Sequence, residues 1–171
     1  MRSLALRLLE AAVVRVLYPG SFDPFHNGHL ELVHTVAGLF DEVVVAAWHD
    51  PAKGQPLLEL HERTSVIEEA LMDLHHVVVR PFATLVVELA KAVGADMIIR
   101  GLRAPSDFES EMAQAQMNLA ISGVHTLFVP SASTNSYIAS KYIREIVRLG
   151  GDVGSMVPDA VAKCLHQKYR T

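Results

Sequence analysis

The 171-residue chain has one cysteine, Cys164, which excludes an internal disulfide and a cysteine-based zinc finger. Such sparing use fits a reducing cytosol, and a cytoplasmic location is expected. Apolar runs of about 18 residues are missing, so neither a spanning helix nor a membrane partner is expected. The opening MRSLALRLLEAA is leucine-rich, but Arg7 and Glu10 interrupt any signal-peptide core. Residues 1–12 read as a short extension or an amphipathic first turn. Charge of one sign is also scarce. With 15 Lys and Arg against 19 Asp and Glu, the net charge of −4 gives no support to a nucleic-acid binder. An anionic ligand must therefore meet a local cluster of positive groups. Three motifs are missing too: the Walker loop, a G-x-G-x-x-G after the first strand, and the G-x-S-x-G elbow. Their absence disfavours a P-loop enzyme, a dinucleotide-dependent dehydrogenase and a serine hydrolase.

What is present is rhythm. Half the residues are apolar, enough for a sizeable core in one domain. Short β-branched runs at 13–17, 42–47, 77–80, 96–100 and 125–129 alternate with helix-like stretches at 28–40, 60–74, 84–93, 107–121 and 138–148. A last helix is expected over 158–169. Ser106, Asp107 and Glu109 supply capping chemistry for the fourth helix, and Arg148-Leu149-Gly150-Gly151 supplies a stop after the fifth. No repeat or linker divides the chain. The expectation is an α/β protein over 1–171: a single doubly wound, Rossmann-like domain with a five-stranded parallel sheet and right-handed crossovers.

In such sheets ligands lie beyond the carboxyl ends of the strands, and four strand exits collect the unusual residues. These are YPGSFDPFHNGH after the first strand, WHDPAKGQ after the second, RGLRAPSDFE after the fourth and PSASTNSYIASK after the fifth. His26 and His29 stand three apart at a helix start, where free N–H groups and the macrodipole favour phosphate. Both rings can then face one ligand, with Gly28 easing its approach to the backbone. The bland alternative is a pair of histidines that cap the turn or face solvent. A zinc site lacks a third ligand at useful spacing, so no resident metal is expected. Lys53 stands in a Pro/Gly loop, where a solvated charge is the plainer reading. Arg100 ends an apolar strand, a position that asks for an anion, or for a structural acid such as Asp107 or Glu109. The serines after the fifth strand begin another helix start suited to phosphate.

HNGH resembles the (T/H)-x-G-H signature of the nucleotidyltransferase superfamily. More narrowly, YPGSFDPFHNGH, IIRGLRAPSDFESEMAQAQMN and SYIASKYIREIVRLGGDVGSMVP together resemble the bacterial phosphopantetheine adenylyltransferase family, from about Val14 to Pro158. The resemblance implies attack of the 4′-phosphate of phosphopantetheine on the α-phosphorus of ATP, giving dephospho-CoA and pyrophosphate in coenzyme A biosynthesis. It implies Mg²⁺ with ATP, dephospho-CoA or coenzyme A as product or inhibitor, and a homohexamer. By motif position His29 is the catalytic donor to the α-phosphate. Ser21 and Phe22 match the turn that meets both ligands. Lys53 and Arg100 match the groups holding the acceptor phosphate, and Val86 lines the pantetheine arm. Gly101, Leu102, Arg103 and Glu111 match ATP-binding positions, as do Asn135, Ser136, Tyr137, Ile138, Ala139, Ser140 and Lys141. The family's last motif usually reads S-[FY]-[IV]-S-S-S, so Ala139 and Lys141 replace two serines. The basic residue that commonly follows MN is missing, and His26 stands where threonine is frequent. His26 is expected to orient the site or contact the nucleotide. Two other functions remain open: nucleotidyl transfer to another phosphorylated acceptor such as nicotinamide mononucleotide, and a non-catalytic nucleotide-binding regulator.

Overall fold

The computed structural model describes residues 13–49, 54–103, 105–131 and 134–169, without the side chains of 105 and 106. Five strands form one parallel sheet: β1 (Arg15–Gly20), β2 (Glu42–Trp48), β3 (Val77–Phe82), β4 (Met97–Leu102) and β5 (His125–Pro130). Their order is β3-β2-β1-β4-β5. Tyr18 stands beside Val45 and Leu17 beside Ile98, which fixes the central register. The described helices are α1 (Asn27–Ala37), α2 (Leu60–Ala70), α3 (Val86–Val93), α4 (Pro105–Ser122), α5 (Ser140–Arg148) and α6 (Asp159–Tyr169). The expected fold class is what the chain adopts. None of the described helices is long and apolar enough to cross a membrane.

The sheet's period of two assigns its residues to two cores. Val16, Tyr18, Val43, Val45 and Ile99 face α1, α2, α5 and α6, while Leu17, Val44, Ala46 and Ile98 face α3. The central strands β1 and β2 are buried on both sides and so read as continuous apolar runs. The strands begin where expected or one to two residues later, and end one to three residues later. Paired backbone extends the ladder past the last β-branched residue, through Pro19-Gly20 and through Arg100-Gly101-Leu102. Helix α4 starts at Pro105, two residues before its expected start, with proline in the first turn where no N–H is needed. The expected cap at Ser106 rests on a side chain outside the described set. At the end of α5, Gly150 adopts φ +79°, and Gly151 N–H closes onto the Ile146 carbonyl at 2.9 Å.

One buried carboxylate ties two strand exits together. Asp23, 7 % exposed, accepts the N–H groups of Leu57 and Leu58, both at 2.9 Å. Arg63, 2 % exposed, donates to the carbonyls of Ser21 and Trp48 at 2.6 and 2.9 Å. Arg144 reaches the Asp23 carbonyl at 2.6 Å, and the Tyr169 hydroxyl donates to Leu57 O at 2.6 Å. These bonds satisfy backbone groups at the end of β2 and in the loops beyond the strands. We expect Asp23→Ala, which orphans two buried N–H groups, to lower the unfolding free energy by about 3 kcal/mol. Urea denaturation measures it, and a loss within error of zero would show that the two amides find other partners.

Candidate active site

A cavity of about 670 Å³ opens at the carboxyl edge of the sheet, above the switch in strand order between β1 and β4. That volume suits a nucleotide or a molecule of similar size. One side is cationic: Arg100, Arg103, Lys141 and Arg144 line it, against the carboxylates Asp107 and Glu111. The other side is apolar, built by Trp48, Phe82, Leu85 and Val86. Trp48 and Phe82 stack there with ring centroids 6.4 Å apart. The net negative chain thus concentrates positive charge at one place.

His26 is the N-cap of α1, with extended φ and ψ of −134° and 171°, and His29 is its third helical residue. The cap geometry brings the two rings into a stack 3.6 Å apart at 21°. The His26 backbone N–H donates to His29 Nδ1 at 3.2 Å. A nitrogen that accepts cannot carry the proton, so neutral His29 is the Nε2–H tautomer and Nε2 is its donor. Phe22 and Phe25 hold the ring from two sides, with centroids 5.0 and 5.5 Å away. Burial, then His26 and Arg103, push the His29 pKa well below the ordinary histidine value. His29 is therefore a neutral hydrogen-bond donor at physiological pH. Burial and Arg103 also lower His26, to about 4.

Gly28 has a tighter role than easing ligand approach. A Cβ there would lie 3.2 Å from the His26 ring and 3.3 Å from the Asn135 carbonyl. The missing side chain lets the histidine fold over the helix start and the β5–α5 segment close against it. Phe22 adopts φ +46°, and its ring packs on Tyr18, Phe25 and His29. Burial pushes the Tyr18 phenol well above its ordinary value, so it stays protonated beside Arg100 and Arg103.

Of the residues expected at the site, Ser21, Phe22, His29, Val86, Arg100, Gly101, Arg103, Glu111, Ala139, Ser140 and Lys141 line the cavity. Leu102, Asn135, Ser136, Tyr137 and Ile138 do not. Leu102 pairs with Pro130 in the ladder, and Ile138 is core at 2 % exposed, reaching the site only through its carbonyl, which accepts from Arg103 at 3.3 Å. Tyr137 points outward at 67 % exposed, and Asn135 donates to Glu31 at 2.9 Å. Lys53 lies outside the described residues. The carboxylate of Arg100 is neither Asp107 nor Glu109. Glu111 takes it in a two-pronged pair at 2.5 and 2.7 Å, one helical turn further on, whereas Asp107 pairs with Arg103 at 3.3 Å. Glu111 thus orients an arginine, which keeps further N–H groups for a ligand. Tyr18, Trp48, Phe82, Gln114, Asn118 and Arg144 also line the cavity and were not foreseen. Tyr18 and Trp48 could have been found as the last side chains of β1 and β2 before their exits. Among the described residues no three of His, Cys, Asp and Glu gather as metal ligands.

Residues 17–146 match the cytidylyltransferase-like family. The chain belongs to that family. Two solved structures share its fold. One, from Vibrio parahaemolyticus, bears the provisional description of a nicotinate-nucleotide adenylyltransferase. It superposes with a TM-score of 0.63 at 14% identity, over 90% of this chain and 98% of that one. The other is a bifunctional NMN adenylyltransferase/ADP ribose pyrophosphatase from Francisella tularensis, complexed with AMP and an Mn ion. It gives a TM-score of 0.64 at 15% identity, over 93% of this chain. The chain spans half the length of that bifunctional protein, 50%. At these identities the likeness is one of fold.

The two depressed histidines make stability depend on pH in a definite sense. Below the unfolded value of about 6.5, the unfolded rings take protons that the folded rings refuse. We expect the unfolding free energy to fall as pH drops from 6.5 toward 4, by up to about 1.4 kcal/mol per pH unit for each ring. Replacing either histidine should flatten the profile. Denaturant titrations between pH 4.5 and 7.5 check this, and a slope unchanged in both variants would contradict it.

Proposed function

We propose that the chain transfers the adenylyl group of ATP to 4′-phosphopantetheine, releasing pyrophosphate and dephospho-CoA. The observation that carries this is the position of His29: a neutral Nε2–H donor at a helix start, in a cavity that is cationic on one side and apolar on the other. An acceptor with a phosphate at one end and a long, weakly polar arm suits that division. The segments RGLR, SDFE and MAQAQMN support pantetheine in particular.

An acceptor phosphate oxygen forms the new bond to the α-phosphorus of ATP as the bond to the β-phosphate oxygen breaks, and pyrophosphate leaves with that electron pair. The nucleophile is already an anion, so no side chain need remove a proton. Catalysis is then in-line positioning of two polyanions and stabilisation of charge on the α-phosphoryl oxygens. His29 supplies that hydrogen bond. Arg100, held by Glu111, grips the acceptor phosphate together with Lys53. Arg103, Ser140, Lys141 and the helix-start N–H groups receive the nucleotide phosphates, alongside Ser21, Phe22 and Gly101. Mg²⁺ enters with ATP as part of the substrate, held through phosphate oxygens. Asp107 and Glu111 are both engaged by arginines, so the reading assigns no resident metal to the chain. Dephospho-CoA, or coenzyme A itself, would occupy the same cavity as product or inhibitor, in a cytoplasmic setting.

The stacked Trp48–Phe82 wall favours one second reading, in which the acceptor carries a flat ring, as nicotinamide or nicotinate mononucleotide does. Assembly is proposed as a homohexamer. None of the described side chains of α4 is buried, and Phe108, Met117 and Ile121 stand 45 %, 62 % and 55 % exposed along it. A second copy of the chain is the proposed cover, and light scattering of the purified protein tests it.

Turnover of Mg²⁺-ATP with phosphopantetheine, followed as pyrophosphate and dephospho-CoA, tests the reaction. We expect product with phosphopantetheine and little with nicotinamide mononucleotide. The reverse preference would overturn the acceptor assignment, and ATP binding without product from either would favour a regulator. His29→Ala should lower kcat ~10²-fold or more through loss of the donor. Because His29 is already neutral, kcat should show no break near pH 6.5. Near wild-type kcat in the variant would remove His29 from its role.

A further inference from the structure

Trp48 is the chain's only tryptophan, and it stands half-buried on the cavity wall rather than in either core. It ends β2, in register with Phe82 at the end of β3, and the two rings stack at 24°. Alternation along each strand places Trp48 on the sheet face of Val44 and Ala46. The same alternation places Arg100 on the face of Ile98, and the two faces are one. The aromatic pair and the guanidinium therefore stand on one side of the sheet. Strand β4 lies two strands from β2 and three from β3. At about 4.8 Å per strand, the aromatic shelf stands about 10 to 14 Å from the strand of Arg100.

The fold holds that separation. The buried guanidinium of Arg63 donates to the carbonyls of Ser21 and Trp48 at 2.6 and 2.9 Å, which ties the end of β2 to the turn before His29. Phe82 rests on the core that contains Leu17, Val44, Ala46 and Val87. An acceptor must then match both places at once. A phosphate suits the arginine. A pair of aromatic faces suits an apolar or soft group such as sulfur, whereas a carboxylate would lose water there and meet no cation among the described residues of that wall. Phosphopantetheine has roughly thirteen bonds between phosphorus and sulfur, which extend to about 15 Å at about 3.5 Å for every three. We propose that Trp48 is a specificity-determining residue: it receives the sulfur end of the acceptor arm, so the distance from Arg100 to the Trp48–Phe82 shelf selects acceptors by length and by terminal group. The inference rests on the phosphopantetheine reading and adds the residue that reads the far end of the arm.

Pyrophosphate release from Mg²⁺-ATP by the whole chain is compared with two acceptors. One is phosphopantetheine; the other is 4′-phosphopantothenate, which shares the phosphate and the first amide but stops at a carboxylate. For the wild type we expect kcat/KM to favour phosphopantetheine by ~10²-fold. Trp48→Ala should cut that ratio about tenfold, mainly through KM for phosphopantetheine, because the reacting end keeps its own grip. Trp48→Phe, which keeps an aromatic face, should retain most of the ratio. Fluorescence of the wild type needs no variant, since Trp48 is the sole tryptophan. Its emission should move to shorter wavelength when phosphopantetheine is added and stay unchanged with inorganic phosphate. A ratio unchanged in Trp48→Ala, or emission that ignores saturating phosphopantetheine while product still forms, overturns this inference alone. No turnover of phosphopantetheine by the wild type overturns the acceptor reading and this inference with it.

Discussion

Strands β1 and β4 lie side by side, and the chain leaves them in opposite directions across the sheet. That is the constraint on which the rest of the molecule depends. The crossover from β1 runs to β2 on one side, the crossover from β4 runs to β5 on the other, and right-handedness puts their helices on opposite faces. No connection can cover the edge between them. The exit of β1 brings the histidine turn to that gap and the exit of β4 brings two arginines. Residues 81 positions apart, such as Pro19 and Arg100, then meet by hydrogen bond at 3.1 Å.

The chemistry follows from how that gap is walled. Asp23 and Arg63 spend their charges on backbone, keeping the β1–α1 turn and the loop before α2 in one arrangement. Buried charges of this kind contribute positioning more surely than stability. Within the turn, the helix cap decides a tautomer: a backbone N–H on Nδ1 leaves Nε2 as the donor. Desolvation keeps both rings neutral. A donor preset in this state would need little reorganisation on meeting a polyanion.

Legibility in the sequence was uneven, for physical reasons. Strands and helices declared themselves because burial imposes periods of two and of 3.6, and β1 and β2 are buried on both faces. Their ends were less legible, because backbone pairing continues through Pro19 and Gly101 with no apolar side chain to mark it. At the site, residues fixed by local geometry were readable: two histidines three apart at a helix start, an arginine ending an apolar strand. Ile138 and Tyr137 were not separable by motif. Only packing turns one into core and the other into surface, 2 % against 67 % exposed. Arg144, Gln114 and Asn118 were missed because a helix face has no meaning until the helix is docked.

The sequence by itself determined the layered fold, the strand exits as the edge where a cavity opens, and the clustering of cations there in a chain of net charge −4. Those follow from composition and periodicity, which act along the chain. The tertiary structure alone decided that Glu111 rather than Asp107 or Glu109 holds Arg100, that His26 stacks on His29 with neither ring nitrogen partnered among the described residues, and that Trp48 and Phe82 make one wall. Each of these depends on the distance between groups remote in sequence, or on burial, and neither is a property of the linear chain. Hydrogen bonding, desolvation and stacking act over a few ångströms of space, so they are set only once the sheet has brought its exits together.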